Sequence, residues 1–268
     1  MINLSNNKHY LLKQLVITDF KLRYQGSVLG YFWSLFKPLL MFGVLYVVFT
    51  YIIPTGKDVP YFSAYLLLGI VIWTFFSEAT LMGLGSIVGR GDLIRKVSIS
   101  KMSIVIASVL SAGVNFLLNM IVVFIFMIAS GADITWSLMP FIPLLLIELI
   151  LLVLGISLIL AALYVRFRDF APIWEIILQV MFYATPIIYP LTFALNASPR
   201  VAEILSLNPL TQIIQDMRYI LITPATLTTH QVMGDIMSFI LPLIVMITML
   251  IFGVIYFKKR SRYFVEEL

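Results

Sequence analysis

The sequence predicts an all-α membrane protein that crosses the bilayer six times and keeps both ends in the cytoplasm. Three observations predict it. Of 268 residues, 61% are apolar and 12% charged, and the mean hydropathy is +1.04. Soluble domains carry about 25% charged residues, so this chain cannot cover itself in water. The apolar residues gather into six stretches, each close to the ~20 helical residues that span about 30 Å of hydrocarbon. Finally, all 18 Lys and Arg residues except Lys57, Arg200 and Arg218 fall on one side of that stack. Cationic flanks are retained on the cytoplasmic side during insertion. Two cytoplasmic ends require an even number of crossings.

Residues 1–29 precede the first span. Leu12, Leu15, Val16 and Phe20 recur at helical spacing, with Lys13, Gln14 and Lys21 on another face. That is the pattern of a helix lying in the cytoplasmic interface; a short solvated tail is the other reading. A cleavable signal peptide is not expected, because the N-terminus is polar and the first apolar stretch too long for one. The remaining domain, 30–268, holds spans Gly30–Ile53, Tyr61–Val88, Met102–Ala129, Leu138–Leu163, Ala171–Leu195 and Val232–Phe257. Turn formers or charges separate them: Pro54 and Gly56, Gly89 to Asp92, Gly131 and Asp133, and the run Arg166 to Asp169.

Residues 186–231 break this alternation. Their apolar runs, Ile187–Leu195, Val201–Leu207 and Ile213–Ile222, are interrupted by Pro190, Pro199, Pro209 and Pro224. Such runs are too short to cross and too apolar for a solvated loop. Irregular backbone survives at membrane depth only when protein buries it or it lines a cavity. Short re-entrant or gate-like helices before the last span are therefore expected, with an external cap on the bundle as the alternative. No internal repeat is visible, which argues against an inverted-repeat carrier.

Most chemistry is excluded. The net charge of +5 sits at span ends, where each cation gains about 1 kcal/mol from anionic headgroups; this favours membrane lipids over nucleic acid as partners. The absence of Cys removes disulfides, Cys-ligated zinc and a thiol nucleophile. His9 and His230 lie at opposite ends of the chain, so no His-rich metal site is expected. No HExxH, GxSxG or intramembrane Asp pair is present, and no catalytic residue is assigned. Gly56-Lys57 is followed by Asp58, which does not make a phosphate-binding loop. If transport is driven, the energy must come from another polypeptide or from a gradient.

Glu78 and Glu148 lie deep in their spans, and Glu175 near the cytoplasmic end of its own. A central acid costs about 2.5–3.5 kcal/mol on insertion scales, and no Lys or Arg is placed at comparable depth. A protonated carboxyl hydrogen-bonded inside the bundle is the expected reading, with a proton relay as the alternative. Gly26/Gly30 and Gly85/Gly89 have the spacing that lets helices approach closely, though chance suffices to explain either pair.

Three motifs carry a resemblance. The stretch from Leu22 to Pro38, with Arg23, Tyr24, Ser27, Leu29, Gly30, Trp33 and Pro38, resembles the approach to the first span of ABC-2-type permeases. More narrowly, it is similar to those exporting lipid-linked polysaccharides: O-antigen, capsule, teichoic acid and related cell-wall glycans. Arg166-Phe167-Arg168-Asp169 resembles the family's cytoplasmic loop between the fourth and fifth spans. Asn208-Pro209-Leu210-Thr211 with Arg218-Tyr219 resembles its external segment before the last span.

The resemblance implies a half-transporter in a bacterial cytoplasmic membrane. Two copies would form a homodimer with two ABC ATPase subunits, which would bind the ATP and Mg; this chain would hold no cofactor of its own. The cytoplasmic loop 89–101 would couple to the ATPase through Arg90, Asp92, Arg95 and Lys96, joined by Arg166, Arg168 and Asp169; obedience to the positive-inside rule explains the cations equally. A lipid-linked glycan would enter past Arg23, Tyr24, Ser27, Trp33 and Lys37. Arg23 and Lys37 would attract a lipid pyrophosphate or serve as snorkelling anchors. Sugar polymers present C–H faces that suit aromatic rings, so Phe42, Tyr46 and Phe49 on the first span, with Trp174, Phe182, Tyr183 and Tyr189 on the fifth, are expected to line the channel; a lipid-facing or core stripe is the alternative. Asn208, Pro209 and Arg218 would form an external gate. A permease for a drug or small lipid, a gradient-driven carrier relying on Glu78 or Glu148, and a membrane-embedded glycan-processing enzyme are the competing functions.

Overall fold

Five apolar helices are long enough to cross a membrane: Phe32–Ile52, Phe62–Gly85, Lys101–Ser130, Trp136–Arg166 and Ile240–Arg260. They come from a computed structural model that describes residues 10, 12–19, 32–52, 59–96 and 99–268. Arg23, Tyr24 and Ser27, with most of their motif, lie outside the described residues. Residues 12–19 are helical, and no strand occurs among the described residues.

Helix α1, Phe32–Val47, contains Pro38 and continues as a π-helical turn over Val48–Ile52. Helix α2, Phe62–Gly85, is apolar on every side and almost wholly buried, as expected of a helix that others surround. A short segment follows, 3₁₀-helical over Val88–Arg90 and α-helical in α3, Gly91–Lys96. Helix α4, Lys101–Ser130, ends at Gly131 (φ 68°), whose N–H donates to the Ile128 carbonyl while the Ala132 N–H donates to that of Met127. Glycine tolerates that left-handed cap without a Cβ clash. A 3₁₀ turn over Trp136–Phe141 leads into α5, Ile142–Arg166.

The fifth predicted span differs. Helix α6 covers only Phe170–Ala184, 15 residues, or about 22 Å at 1.5 Å per residue. Thr185 is extended (φ −107°, ψ 134°) because the following Pro186 disfavours the helical region for its predecessor. Helix α7, Leu191–Ala197, resumes after Pro190. Three further short helices follow: α8, Pro199–Ser206, α9, Pro209–Leu221, and α10, Thr229–Met233. Pro199 and Pro209, read as breakers, serve as helix openers, where their missing N–H leaves nothing unpaired. Helix α11, Asp235–Arg260, and the terminal α12, Phe264–Glu267, complete the chain.

Charge and contacts divide the molecule into two ends. At one end Ile94 of α3, Ile104, Val165, Phe257 and Phe264 share a buried cluster. Arg90 pairs with Asp19, Arg260 with Glu267 at 2.8 Å, and Lys101 donates to the Ser261 carbonyl. Helix 12–19 and the C-terminus thus sit at the same end. At the other end, the Asp133 N–H donates to the Ile222 carbonyl at 2.9 Å and Thr135 to Ile220 at 2.8 Å. Helix α9 packs there against α2, α5 and α11.

Candidate functional site

The segment 88–96 is amphipathic over a single short helix. Ile94 points inward and is 8% exposed, which turns Asp92, Arg95 and Lys96 outward. Asp92 lies in the first turn of α3 and Arg95 and Lys96 in the last, the order the helix dipole favours. Arg90 is different. It is turned inward to Asp19, and burial draws its pKa below the usual guanidinium value. It holds helix 12–19 against the loop, a partner the sequence did not single out. Arg166, Arg168 and Asp169 are exposed, with Arg166 over the Phe167 ring at 5.1 Å and Arg168 over Tyr164 at 5.3 Å. The cations at this end therefore split into an exposed set and one turned inward.

Between α1 and α2 lies a groove of about 650 Å³ lined by Trp33, Ser34, Lys37, Thr74, Ser77 and Glu78, among others. It gathers two of the residues expected where substrate enters. Lys37 and Glu78 both line this groove. Asn115 Nδ2 donates to Glu78 Oε1 at 3.3 Å, and Asn119 Nδ2 donates to the carbonyls of Ser34 at 3.2 Å and Asn115 at 2.8 Å. A polar seam thus ties α1, α2 and α4 together, in agreement with the hydrogen-bonded reading of Glu78.

The aromatic residues expected to line a channel mostly pack inside the chain. Phe42 meets Phe126 edge-on at 5.3 Å, Tyr46 stacks on Phe62 at 6.3 Å, and Phe49 packs against the main core. On α6, Trp174, Leu178 and Phe182 form the buried stripe, with Phe182 on Trp73 at 5.6 Å. Tyr183 is 67% exposed, and Tyr189 donates to its carbonyl at 2.9 Å. The Trp174 indole N–H donates to Thr80 Oγ1 at 3.1 Å. Trp174→Phe is expected to lower stability by about 0.5–1.5 kcal/mol, the usual worth of one such bond, visible as a small drop in thermal midpoint.

Asn208, Pro209 and Arg218, expected to form a gate, occupy different positions. Asn208 caps α9, accepting from the Leu210 N–H at 3.0 Å and donating to Thr185 Oγ1 at 3.2 Å; Pro209 opens the helix. Arg218 is fully buried. Its Nε donates to the Tyr65 carbonyl at 3.1 Å, and its terminal nitrogens to Pro186, Ile187 and Gln215. It staples the break after α6 to α2 and α9. No group of His, Asp and Glu among the described residues could hold a metal ion.

Several apolar helices long enough to cross a membrane define a polytopic helical protein. The ABC-2 type transporter family matches residues 10–222, and the chain belongs to that family. It is 30% identical over 224 residues to an O-antigen export system permease protein RfbA of Klebsiella pneumoniae, covering 81% of this chain and 83% of that one. An O-antigen export system permease protein RfbA of Myxococcus xanthus is 32% identical over 204 residues, 76% and 77% of the two chains.

Proposed function

We propose that this chain is the permease subunit of an ATP-driven exporter that moves a lipid-linked cell-surface polysaccharide, an O-antigen, teichoic acid or related glycan, across the bacterial cytoplasmic membrane. The observation that carries the reading is the identity to O-antigen export permeases along about four-fifths of the chain. Both termini are cytoplasmic in this reading and α6 with its continuation makes the sixth crossing, so that α3 and the Arg166–Asp169 loop face a partner ATPase that binds ATP and Mg.

The working unit is a homodimer with two ATPases. Helices α1 and α6 support this: the spanning window of α1 is only 11% buried, and Ile173, Ile176, Val180 and Tyr183 form an exposed stripe on α6. A second copy would cover those faces. The glycan path then follows the seam, with Tyr183 and Tyr189 lining the wall and Phe42, Tyr46, Phe49, Trp174 and Phe182 supporting it from behind. Lipid-linked substrate enters at the α1/α2 groove past Trp33 and Lys37, joined by Arg23, Tyr24 and Ser27. Asn208, Pro209 and Arg218 form the external gate, in which Arg218 fixes the frame.

Depletion of the protein tests the reading. A lipid-linked polymer should accumulate on the cytoplasmic face, and normal surface glycan at full depletion would refute it. The coupling face has its own test. Arg95→Glu with Lys96→Glu reverses exposed charge and should weaken copurification of the ATPase about tenfold or more, while the thermal midpoint stays near that of the native protein because surface changes usually cost under about 0.5 kcal/mol. Unchanged copurification would remove α3 from the interface.

A further inference from the structure

A second cavity, of about 770 Å³, lies between α5, α9, α10 and α11 and shares no helix with the α1/α2 groove. Its lining is mixed. Leu144, Ile147, Leu243 and Ile247 border it and are themselves 42–60% exposed, so it opens sideways where lipid chains would lie. Glu148 on the same helix α5, with Gln212, Asp216, Thr228 and His230, supplies polar lining. Glu148 is 8% exposed and Gln212 5%; the Oε1 of each lacks a hydrogen-bond partner. Gln212 Nε2 is already given to Asp216 at 3.3 Å. Two carboxyl groups and the orphaned oxygens of Glu148 and Gln212 therefore line one cavity, and among the described residues its one basic side chain is that of His230.

An orphaned buried acceptor costs about 1–3 kcal/mol, and a buried carboxylate calls for a cation or a donor. The lateral mouth selects an occupant that is dissolved in the membrane. The acidic lining selects its head: it offers acceptors in excess and would repel a phosphate. We infer that this cavity is a ligand site for a membrane-dissolved primary amine, an alkylammonium amphiphile whose head lies between Glu148 and Asp216 and whose tail leaves past Leu144 and Ile147. Such a ligand would bridge the fixed helices α5 and α11 to the short external helices α9 and α10. The site is separate from the polymer path and does not depend on which substrate is exported.

Radiolabelled dodecylamine, titrated into nanodiscs of phosphatidylcholine containing the full chain, tests the inference. Saturable binding above that of empty discs is expected, together with a rise in thermal midpoint, because a ligand of the folded state stabilises it. Dodecyl phosphate and dodecanol should fail to compete. Glu148→Gln and Asp216→Asn should each weaken binding about tenfold, the worth of one charged hydrogen bond, and Leu144→Trp should narrow the mouth and weaken it with both carboxyls intact. Competition by dodecanol as strong as by dodecylamine would make the cavity a general acyl slot and overturn the proposal. So would non-saturable uptake, equal competition by dodecyl phosphate, or undiminished binding in all three variants.

Discussion

Replacing Arg218 with alanine is expected to destabilise the protein by about 2–6 kcal/mol, the cost of orphaning two buried carbonyl oxygens at about 1–3 kcal/mol each. The guanidinium is 0% exposed and lies 3.6 Å above the Tyr65 ring. It donates to the carbonyls of Tyr65 at 3.1 Å, Pro186 at 2.7 Å and Ile187 at 2.6 Å, and to Gln215 Oε1 at 3.1 Å. Three of those acceptors are backbone oxygens; the Tyr65 carbonyl keeps its helical donor within α2, and the other two are left without one in the mutant, each costing about 1–3 kcal/mol when orphaned. Two belong to the break after α6, where no helix satisfies them. Arg218→Lys keeps the charge and loses the planar fork, so it should recover little. Gly69→Ala should reproduce part of the defect from the other side, since an added Cβ would strike the Arg218 guanidinium and lie 3.2 Å from the Ile187 carbonyl. Thermal unfolding in detergent, followed by size-exclusion elution, measures all three. A loss below about 1 kcal/mol for Arg218→Ala would mean that other donors reach those carbonyls.

Arg218 also marks where the sequence stops being informative. Counted as a charge outside the membrane, it weighed in the topology argument as one of three external cations; nothing local announced that a fold would enclose it. The long spans were legible because an apolar run of about 20 residues needs no partner to be recognised. The fifth failed at its outer end because Ala171–Leu195 stays apolar straight through Pro186 and Pro190, and hydropathy is blind to backbone. Helical spacing found a single face holding Phe42, Tyr46 and Phe49, yet spacing does not say what covers a face. The donor to Glu78, Asn115, carries no charge and so does not show in a charge pattern. Asn115 and Asn119, four apart in an apolar helix, were the available signal, since intramembrane amides seek hydrogen bonds across helices. The orphaned oxygen of Glu148 had no such signal, because its surroundings come from helices far away in sequence.

The glycines show the same limit, and they yield the other large prediction. Gly85 and Gly89 have the expected four-residue spacing, yet an added Cβ at either meets nothing within 4 Å in the chain. The close approach is made by Gly155 of α5 and Gly253 of α11, single glycines nearly a hundred residues apart that no local spacing identifies. A Cβ at Gly155 would lie 2.8 Å from both the nitrogen and the Cα of Leu250, and one at Gly253 would strike the Gly155 carbonyl oxygen. Backbone atoms cannot rotate away as a side chain can, so the helices themselves must separate. Apolar solvent offers no hydrophobic force to hold two spans together, and their association rests on close packing. Gly155→Ala and Gly253→Ala are therefore each expected to cost about 3 kcal/mol, the upper end for overpacking, and to widen the α5/α11 contact. Gly43→Ala is the control: its Cβ would meet nothing within 4 Å on α1, and alanine favours the helix by up to about 1 kcal/mol. Unfolding midpoints of the three variants decide the matter. If Gly253→Ala behaves like Gly43→Ala, the α5/α11 crossing is looser than its geometry requires.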